Sequence, residues 1–337
     1  MITDGIRKIV EEGSLTEPEM IEVMNQIMNG EATPAQIGAF ITALRMRGET
    51  VEELTGAAKV MRKKAVKIKT KNPTIIDTCG TGGDGSNTFN ISTTAAFVVA
   101  GTGITVAKHG NRSVSSNCGS ADVLKALGVN IEADKDTVEK CLNENGIGFL
   151  FAPRFHRAMK YAVGPRGEIG IRTIFNILGP LTNPAGATAQ VLGIYSKEYT
   201  EIMATVLKNL GSKHALVVHG EDGLDEITLT AKTRISELKN GEINTYFIEP
   251  EEFNMERCTF EDLLGGSPED NANMTLRVLK GEKGPKTDIV LLNASAAIFA
   301  SGVVNTLAEG IKVAKESIEN GNALKKLLGL IKISNRG

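Results

Sequence analysis

The sequence contains no tryptophan, and aromatic residues make up only 4% of its 337 residues. Hydrophobic residues nevertheless reach 41% and charged residues 23%, which is typical of a soluble globular protein whose core consists of aliphatic side chains and alanine. A chain of this length folds as two domains or as one large α/β domain and buries a sizeable core. The composition therefore argues against a disordered or a membrane protein.

An excess of charge of either sign is also missing, since 38 Lys and Arg residues are matched by 40 Asp and Glu residues. A formal net charge of -2 gives the chain no general field that would attract nucleic acid or an anionic membrane. We therefore expect no nucleic-acid partner and no membrane association. Any anion must be bound by groups that are gathered locally.

Long apolar runs and paired cysteines are absent as well. The uncharged stretches 85–107 and 289–308 are interrupted by Asn, Ser, Thr and Gly, whereas a bilayer span needs about 20 mostly apolar residues. Residues 1–13 carry charges where a signal peptide needs an apolar stretch. The four cysteines form no C-x-x-C pair and no zinc-finger pattern with histidine. We expect an unexported, cytoplasmic chain with reduced, buried thiols.

Residues 1–66 have the pattern of helices only. Thr16 and Thr50 each begin a capping box, and Thr33 followed by Pro34 marks a third helix start. After the first of these, apolar residues recur at helical spacing until Gly30. We predict a small helical-bundle domain over residues 1–66.

The pattern changes after the lysine-rich residues 63–71, which we interpret as a linker, and the turn signal Asn72-Pro73. From there strand-like runs alternate with helical segments, as in a mostly parallel sheet flanked by helices. The strand-like runs are residues 74–76, 104–107, 148–151, 189–195, 214–219 and 288–292. We predict an α/β fold with its larger domain over residues 72–337, and we expect the helical residues 153–182 to pack back on the bundle.

A glycine-rich segment follows the first predicted strand, and residues 77–93 read DTCGTGGDGSNTFNIST. Gly80, Gly82 and Gly85 match the dinucleotide-binding pattern G-x-G-x-x-G. That interpretation is weak, because the helix is predicted to begin only near Ser92 and the acid expected about 20 positions on is missing. A glycine loop before a helix N-terminus instead suits phosphate, whose oxygens accept backbone N–H groups.

Hydrogen-bond donors are concentrated in a second cluster, and residues 108–128 read KHGNRSVSSNCGSADVLKALG. Seven of the nine residues from Lys108 to Ser116 have polar side chains, a pattern that neither a core strand nor a surface helix requires. A helix predicted from Gly119 adds another N-terminus. The cluster predicts a site for a polyanion.

These clusters, together with RFHRAMKYAVGPRGEIGIR at 154–172 and FNILGPLTNPA at 175–185, resemble the anthranilate phosphoribosyltransferase family along essentially the whole chain. The resemblance implies transfer of the phosphoribosyl group of phosphoribosyl pyrophosphate to anthranilate, with Mg²⁺, in tryptophan biosynthesis. It also implies a homodimer formed through the helical domain. The related pyrimidine nucleoside phosphorylases share the glycine loop and the KH pair but lack the HGNRSVSS run.

The resemblance also implies roles for individual residues. Anthranilate would contact Gly80, Asn111 and Arg166. Mg²⁺ would be held by Ser92, Asp225 and Glu226. Phosphoribosyl pyrophosphate would be held by Gly80, Gly83, Asp84, Thr88, Asn90, Ile91, Ser92, Thr93, Lys108, His109, Gly110, Asn111, Arg112, Ser113, Val114, Ser115, Ser116 and Ser120.

The expected chemistry agrees with these residue types. Loss of pyrophosphate from an anomeric carbon develops negative charge on the leaving group, which Lys108 and Mg²⁺ would stabilise. The aromatic amine is a neutral nucleophile, so no strong base and no Ser-His-Asp set is expected. His109 and His156 are left as candidates for a proton relay or for the wall of the aromatic pocket.

Three other functions remain open on the residues alone. A nucleoside phosphorylase would use free phosphate as its nucleophile, and a non-enzymatic relative would bind nucleic acid. A dinucleotide-dependent oxidoreductase is disfavoured by the missing acid near position 105. For the transferase we expect the helical domain to close over the α/β domain, with residues 63–73 as one hinge.

Overall fold

The computed structural model describes residues 1–11, 13–113 and 117–336. Four helices form the N-terminal bundle: α1 (Ile2–Glu11), α2 (Glu17–Asn29), α3 (Pro34–Arg47) and α4 (Val51–Lys64). Thr16, Thr33 and Thr50 are the N-cap residues of α2, α3 and α4, each in a capping box. The three helix starts predicted from the sequence are thus confirmed.

A seven-stranded sheet follows, in the spatial order β3-β2-β1-β4-β5-β6-β7. Strands β1 to β5 are parallel, and β6 and β7 add an antiparallel hairpin at one edge. The strands are β1 (Ile75–Gly80), β2 (Thr105–Gly110), β3 (Ile147–Phe151), β4 (Ala189–Gly193), β5 (His214–Gly220), β6 (Thr233–Lys239) and β7 (Glu242–Ile248). The predicted α/β fold, a helical bundle plus a mostly parallel sheet, is confirmed.

Helices cover both faces of the sheet. They are α5 (Ile91–Gly101), α6 (Ser120–Ala126), α7 (Lys135–Lys140), α8 (Ala152–Phe155), α9 (Lys160–Ile169), α10 (Ile174–Leu178), α11 (Tyr199–Asn209), α12 (Pro268–Leu279), α13 (Pro285–Ala300), α14 (Leu307–Glu319) and α15 (Asn322–Ser334). Among the residues described here, no helix has the length and apolar character that crossing a bilayer requires.

Alternating strand residues divide the core into two layers. Leu216 and Val218 of β5 pack with α5, α13, α14 and α15 on one face, whereas Ala215 and Val217 face α11 and the helical bundle. This alternation follows from the period of two in a strand. Helix α9 lies against α2 and α3, and α10 lies against α3 and α4. The domain boundaries at 1–66 and 72–337 stay predictions.

One predicted strand is wrong. Residues 288–292 lie inside α13, which is buried along almost its whole length. A short apolar run does not distinguish a buried strand from a buried helix, and here the apolar pattern belongs to a helix of 16 residues that begins at Pro285.

The hairpin of β6 and β7 was not predicted, although its turn carries a recognisable signal. Asn240 and Gly241 join the strands with φ angles of 53° and 81°, and an Asn-Gly pair is the preferred two-residue hairpin turn. The expectation of buried thiols also needs one correction, because Cys258 is half-buried while the other three free cysteines are buried.

A buried carboxylate connects the loops of the helical bundle. Glu53 is 0% exposed and accepts backbone N–H groups from Leu15 and Thr50, both at 2.9 Å. The guanidinium of Arg47 lies 2.5 Å from the same carboxylate. Since a buried charge without partners is costly, Glu53 holds the α1–α2 and α3–α4 connections together.

We expect Glu53→Ala to lower the free energy of unfolding by about 3 kcal/mol, because one buried and two partly buried donors lose their acceptor. The free energy of unfolding is measured by urea titration, with far-ultraviolet circular dichroism as the signal because the chain has no tryptophan. The control is Glu19→Ala, which removes a more exposed capping-box carboxylate and should cost about 1 kcal/mol. Equal losses in the two variants would contradict the role given to Glu53.

Candidate active site

A cavity of about 330 Å³ lies at the carboxyl ends of the parallel strands. The chain builds β1, β2 and β3 outward on one side and then returns to place β4 on the other side of β1. Ligands of open α/β sheets bind at such a switch in strand order, outside the carboxyl ends of the strands. The topology alone therefore places a binding site between the loops after β1 and β4.

All of the sequence-predicted substrate and metal residues that the structure describes line this cavity. Val114, Ser115 and Ser116 lie outside the described residues. The cavity therefore brings together the glycine-rich segment, the second cluster, Arg166 and the pair Asp225-Glu226, which are far apart in the chain. The role of each residue stays a prediction.

Several lining residues were not predicted. They are Cys79, Thr81, Gly82, Ser86, Asn87, Phe89, Cys118, Gly119, Ala152, Arg172, Phe175, Asn176, Gly179 and Pro180. Arg172 and residues 175–180 belong to the segments that carry the family resemblance. Membership in those segments was the sequence signal that could have identified them as site residues. Their residue types alone indicate no chemistry.

The position of Asp225 depends on two glycines at strand ends. A Cβ atom on Gly80, at the end of β1, would lie 2.4 Å from Asp225 Oδ2, and one on Gly193, at the end of β4, would lie 1.6 Å from the Asp225 carbonyl oxygen. No side chain fits at Gly193, and one at Gly80 would displace the Asp225 carboxylate. The Gly82 N–H donates to Asp225 Oδ2 at 2.7 Å, so the carboxylate contacts residues 80–85, which we call the glycine loop.

Three carboxyl groups border the cavity with little compensation. Burial raises the pKa of Asp225 well above its usual value, and the neighbouring Asp84 and Glu226 raise it further. Burial also raises the pKa of Glu226 to about 7, although Lys108 opposes this shift. Asp84 Oδ2 is buried and lacks a hydrogen-bond partner in the described part of the chain. Mutual repulsion of this kind favours a bound cation.

The protein supplies only part of a metal shell. Within residues 1–11, 13–113 and 117–336, no three His, Cys, Asp or Glu side chains are grouped so that they could hold a metal ion. Mg²⁺ commonly takes one or two carboxylates and completes its shell with water and substrate phosphates. Asp225 and Glu226 match that kind of site, with Ser92 beside them because its N–H donates to Glu226 Oε1 at 3.1 Å.

Lys108 brings a buried cation to the cavity, with 3% of its surface exposed. Its ammonium donates to the Thr78 carbonyl and lies 3.5 Å from Ser92 Oγ. Behind it, Asp77 accepts the His109 N–H at 3.2 Å and the Asn183 side-chain amide at 2.8 Å. Burial raises the pKa of Asp77 to about 6, while Lys108 lowers it.

Aromatic and imidazole rings form another part of the wall. The Arg166 guanidinium lies 5.3 Å from the ring centroid of Phe175. His109 also lines the cavity, and the ring of His156 lies 5.1 Å from that of His109. His156 is not among the lining residues, so it supports the wall through His109 and does not form part of it.

Both histidines are buried. Burial lowers the pKa of His109 well below its usual value and that of His156 to about 4. Both imidazoles are therefore neutral near pH 7 and cannot act as proton donors in the charged form. Of the two roles considered for His109, the wall of the aromatic pocket agrees better with this neutral state.

Comparisons with known proteins agree along the whole chain. Residues 3–65 match the glycosyl transferase family, helical bundle domain, and residues 72–324 match the glycosyl transferase family, a/b domain. An anthranilate phosphoribosyltransferase of Geotalea uraniireducens is 59% identical over 99% of this chain and 100% of its own.

Solved structures give the same result. The anthranilate phosphoribosyltransferase of Thermus thermophilus superposes with a TM-score of 0.93 at 43% identity, covering 98% of this chain and 99% of its own. The Saccharomyces cerevisiae enzyme, in complex with phosphoribosyl pyrophosphate and Mg, has a TM-score of 0.91 at 30% identity, with 99% and 98% covered. The chain belongs to the anthranilate phosphoribosyltransferase family and is therefore a glycosyltransferase enzyme.

Proposed function

We propose that the cavity at the carboxyl ends of the strands is where this enzyme joins its two substrates. The reaction is transfer of the phosphoribosyl group of phosphoribosyl pyrophosphate to the amine of anthranilate, with release of pyrophosphate, in tryptophan biosynthesis. The observation that carries the proposal is the convergence of a glycine loop, a buried lysine and an acidic pair on one cavity. The solved relative that holds phosphoribosyl pyrophosphate and Mg supports it.

The phosphoribosyl pyrophosphate is held by the α/β side of the cavity. The glycine loop and the start of α5 supply backbone N–H groups, and the helix dipole of α5 favours negative charge at its N-terminus. Lys108 supplies a full positive charge in a buried place, where electrostatic attraction is stronger than in water. The further members of this set are Gly80, Gly83, Asp84, Thr88, Asn90 to Thr93, His109 to Ser116 and Ser120.

The transfer of the phosphoribosyl group to anthranilate needs no strong base from the protein, because the amine is already neutral. The lone pair of the anthranilate nitrogen forms a bond to the anomeric carbon while the bond from that carbon to the pyrophosphate oxygen breaks. The electron pair leaves with pyrophosphate, and the nitrogen then loses one proton, which the released pyrophosphate accepts. Lys108 stabilises the negative charge as it develops, which lowers the barrier because the interaction is stronger in the transition state.

The residues around Asp225 fit a divalent cation. Ser92, Asp225 and Glu226 would hold Mg²⁺, and Asp84, whose Oδ2 has no hydrogen-bond partner in the part of the chain that the structure describes, adds negative charge beside them. When bound, the metal neutralises charge on the substrate phosphates and the leaving pyrophosphate. The raised pKa values of Asp225 and Glu226 show that, without a cation, the surroundings favour the protonated form of both carboxyl groups.

Anthranilate occupies the side of the cavity formed by Arg166, Gly80 and Asn111. Arg166 can receive the carboxylate with two parallel N–H donors, a geometry that lysine cannot supply. Phe175 and the neutral ring of His109 give the aromatic ring an apolar wall, and His156 backs the His109 ring. The two substrates thus meet between a polar and an apolar half of one cavity.

Two further proposals concern assembly and location. The enzyme forms a homodimer through its helical domain, which the family resemblance and exposed apolar side chains on helical elements support. Met46 is 84% exposed and Val163 is 60% exposed. It acts in the cytoplasm, where its substrates and reduced thiols are expected together.

The activity is tested by mixing the protein with phosphoribosyl pyrophosphate, Mg²⁺ and anthranilate and following anthranilate fluorescence. We expect the fluorescence to fall with time, and chelation of the metal to stop the fall. Uridine with inorganic phosphate should give no reaction. An unchanged signal with intact substrates would disprove the function, and phosphorolysis of uridine would favour the nucleoside phosphorylases.

Arg166→Ala tests the anthranilate side. We expect the KM for anthranilate to rise about tenfold or more, because a charge-assisted bidentate contact is lost, while the KM for phosphoribosyl pyrophosphate changes little. Arg157→Ala is the matched control, since Arg157 is an exposed arginine of the same segment outside the cavity. Steady-state kinetics in both substrates measure this. Equal losses for both substrates would make Arg166 a structural residue.

His156→Gln tests the neutral state of the imidazole pair. A histidine whose folded pKa is about 4 binds its proton more readily when unfolded, where the pKa is about 6.5. The contribution of His156 to stability is therefore complete above pH 6.5 and is lost as the pH falls toward 4. We expect the variant to lose less Tm than the wild type over this interval in circular dichroism melts. Parallel Tm curves would show that His156 is not buried as a neutral ring.

A further inference from the structure

The two peptide groups that flank the Gly82 Cα atom are each held by a hydrogen bond. Its N–H donates to Asp225 Oδ2 at 2.7 Å, and its carbonyl accepts a hydrogen bond from Arg172 Nη1 at 2.7 Å. Asp225 is one of the acidic groups of the cavity, whereas Arg172 lies between α9 and α10, in the helical segment of residues 153–182. The glycine loop is thus fixed by one residue from each side of the cavity.

Arg172 is itself held in place by an aromatic ring. Its guanidinium lies 4.0 Å from the ring centroid of Tyr195, close enough for a favourable cation–π contact. The Tyr195 N–H donates to Thr81 Oγ1 at 3.2 Å, so Tyr195 also contacts the glycine loop directly. The Tyr195 hydroxyl accepts from Arg45 of α3 at 3.4 Å. Contacts therefore run from the helical bundle to Gly82.

The charges around Arg172 favour this position. Burial lowers the pKa of Arg172, whereas Asp225 and Asp84 attract its guanidinium and oppose that shift, and Arg45 is a nearby group of the same sign. Arginine stays protonated in proteins, so the contact with the Gly82 carbonyl persists at any working pH. Nε and Nη2 are buried and have no hydrogen-bond partner among the described residues, so three of the five guanidinium N–H groups are not used within that part of the chain.

The orientation of one carbonyl determines that of the next N–H. The peptide between Gly82 and Gly83 is planar and trans, so its N–H points away from the carbonyl that Arg172 holds. Gly82, Gly83 and Gly85 have φ angles of 64°, 72° and 75°, a region that glycine enters freely. An unheld loop of this kind would populate many shapes, and its ordering would weaken phosphate binding.

We propose that Arg172 is a positioning residue that holds the glycine loop in the shape that receives the phosphates of phosphoribosyl pyrophosphate. It does so by fixing the Gly82 carbonyl, which leaves the Gly83 N–H for a phosphate oxygen. The inference rests on the proposed function of the cavity. It adds a residue of the helical side to the recognition of the phosphorylated substrate.

Arg172→Ala tests this role by calorimetric titration with phosphoribosyl pyrophosphate and Mg²⁺ and by steady-state kinetics. We expect the Kd for phosphoribosyl pyrophosphate to rise about tenfold or more, since a hydrogen bond from a charged donor is lost. The KM for anthranilate should change by less than about threefold, within the effect of a remote contact. Guanidinium chloride at low, non-denaturing concentration should restore part of the affinity, and Arg172→Lys should retain part of it.

Arg234→Ala is the matched control. Arg234 is also partly buried, lies against the ring of Phe247 and bonds Thr200 and Glu201 outside the cavity. The Arg234→Ala variant shows how far Tm falls when a partly buried arginine that contacts an aromatic ring is removed outside the cavity. We expect both alanine variants to lower Tm by similar amounts and only Arg172→Ala to weaken the phosphorylated substrate.

Unchanged affinity for phosphoribosyl pyrophosphate in Arg172→Ala would overturn the inference. Equal losses for both substrates without guanidinium rescue would also overturn it, because they indicate a general structural defect. Lys108→Met separates this failure from that of the proposed function. If Lys108→Met also binds phosphoribosyl pyrophosphate normally, the proposed site is wrong and the inference falls with it. If only Lys108→Met weakens binding, the site stands and the role of Arg172 is rejected.

Discussion

The close approach of Asp225 to the ends of β1 and β4 is the constraint on which the cavity depends. Glycine at positions 80 and 193 leaves the space, since a Cβ atom at Gly193 would lie 1.6 Å from the Asp225 carbonyl oxygen. This approach brings the Asp225 carboxylate to the Gly82 N–H and places Glu226 next to Ser92 at the start of α5. A larger residue at either glycine would separate the acidic pair from the glycine loop. Gly80 and Gly193 therefore determine the position of the acidic pair Asp225-Glu226 relative to the glycine loop.

A chain of almost no net charge can bind a polyanion because its relevant charges are buried and few. Lys108 acts electrostatically on both Asp77 and Glu226, and these three groups are all less than 10% exposed. The attraction of Lys108 to each of the two carboxylates limits the cost of burying them. In such surroundings a single lysine and oriented N–H groups act strongly on a substrate. The near-neutral composition and the polyanionic substrate are therefore compatible.

Local signals explain what could be predicted from the sequence. The capping boxes at Thr16 and Thr50 involve residues three positions apart, and the strand ends carry their glycines next to the strands. Residues 288–292 were misread because burial on all sides removes the helical period, and the choice between strand and helix is made by packing against α5. Arg172 was missed because its partner Gly82 is 90 positions away. Such a contact depends on how the segment of α9 and α10 packs in the folded protein, and a local sequence pattern does not predict that packing.

The division of the cavity follows from the chemistry of its two substrates. A polyanion is best held by fixed N–H groups and a buried cation, which a parallel sheet with glycine turns and helix N-termini supplies at its carboxyl edge. An aromatic acid needs apolar walls and a bidentate cation, and in the proposed site Phe175 and Arg166 of the helical segment, which lie against each other, would supply them. Arg172 belongs to that helical segment and yet bonds the glycine loop. In the proposed site the arrangement of the helical side would therefore act on both substrates, so a change in its position would alter phosphate binding and anthranilate binding together.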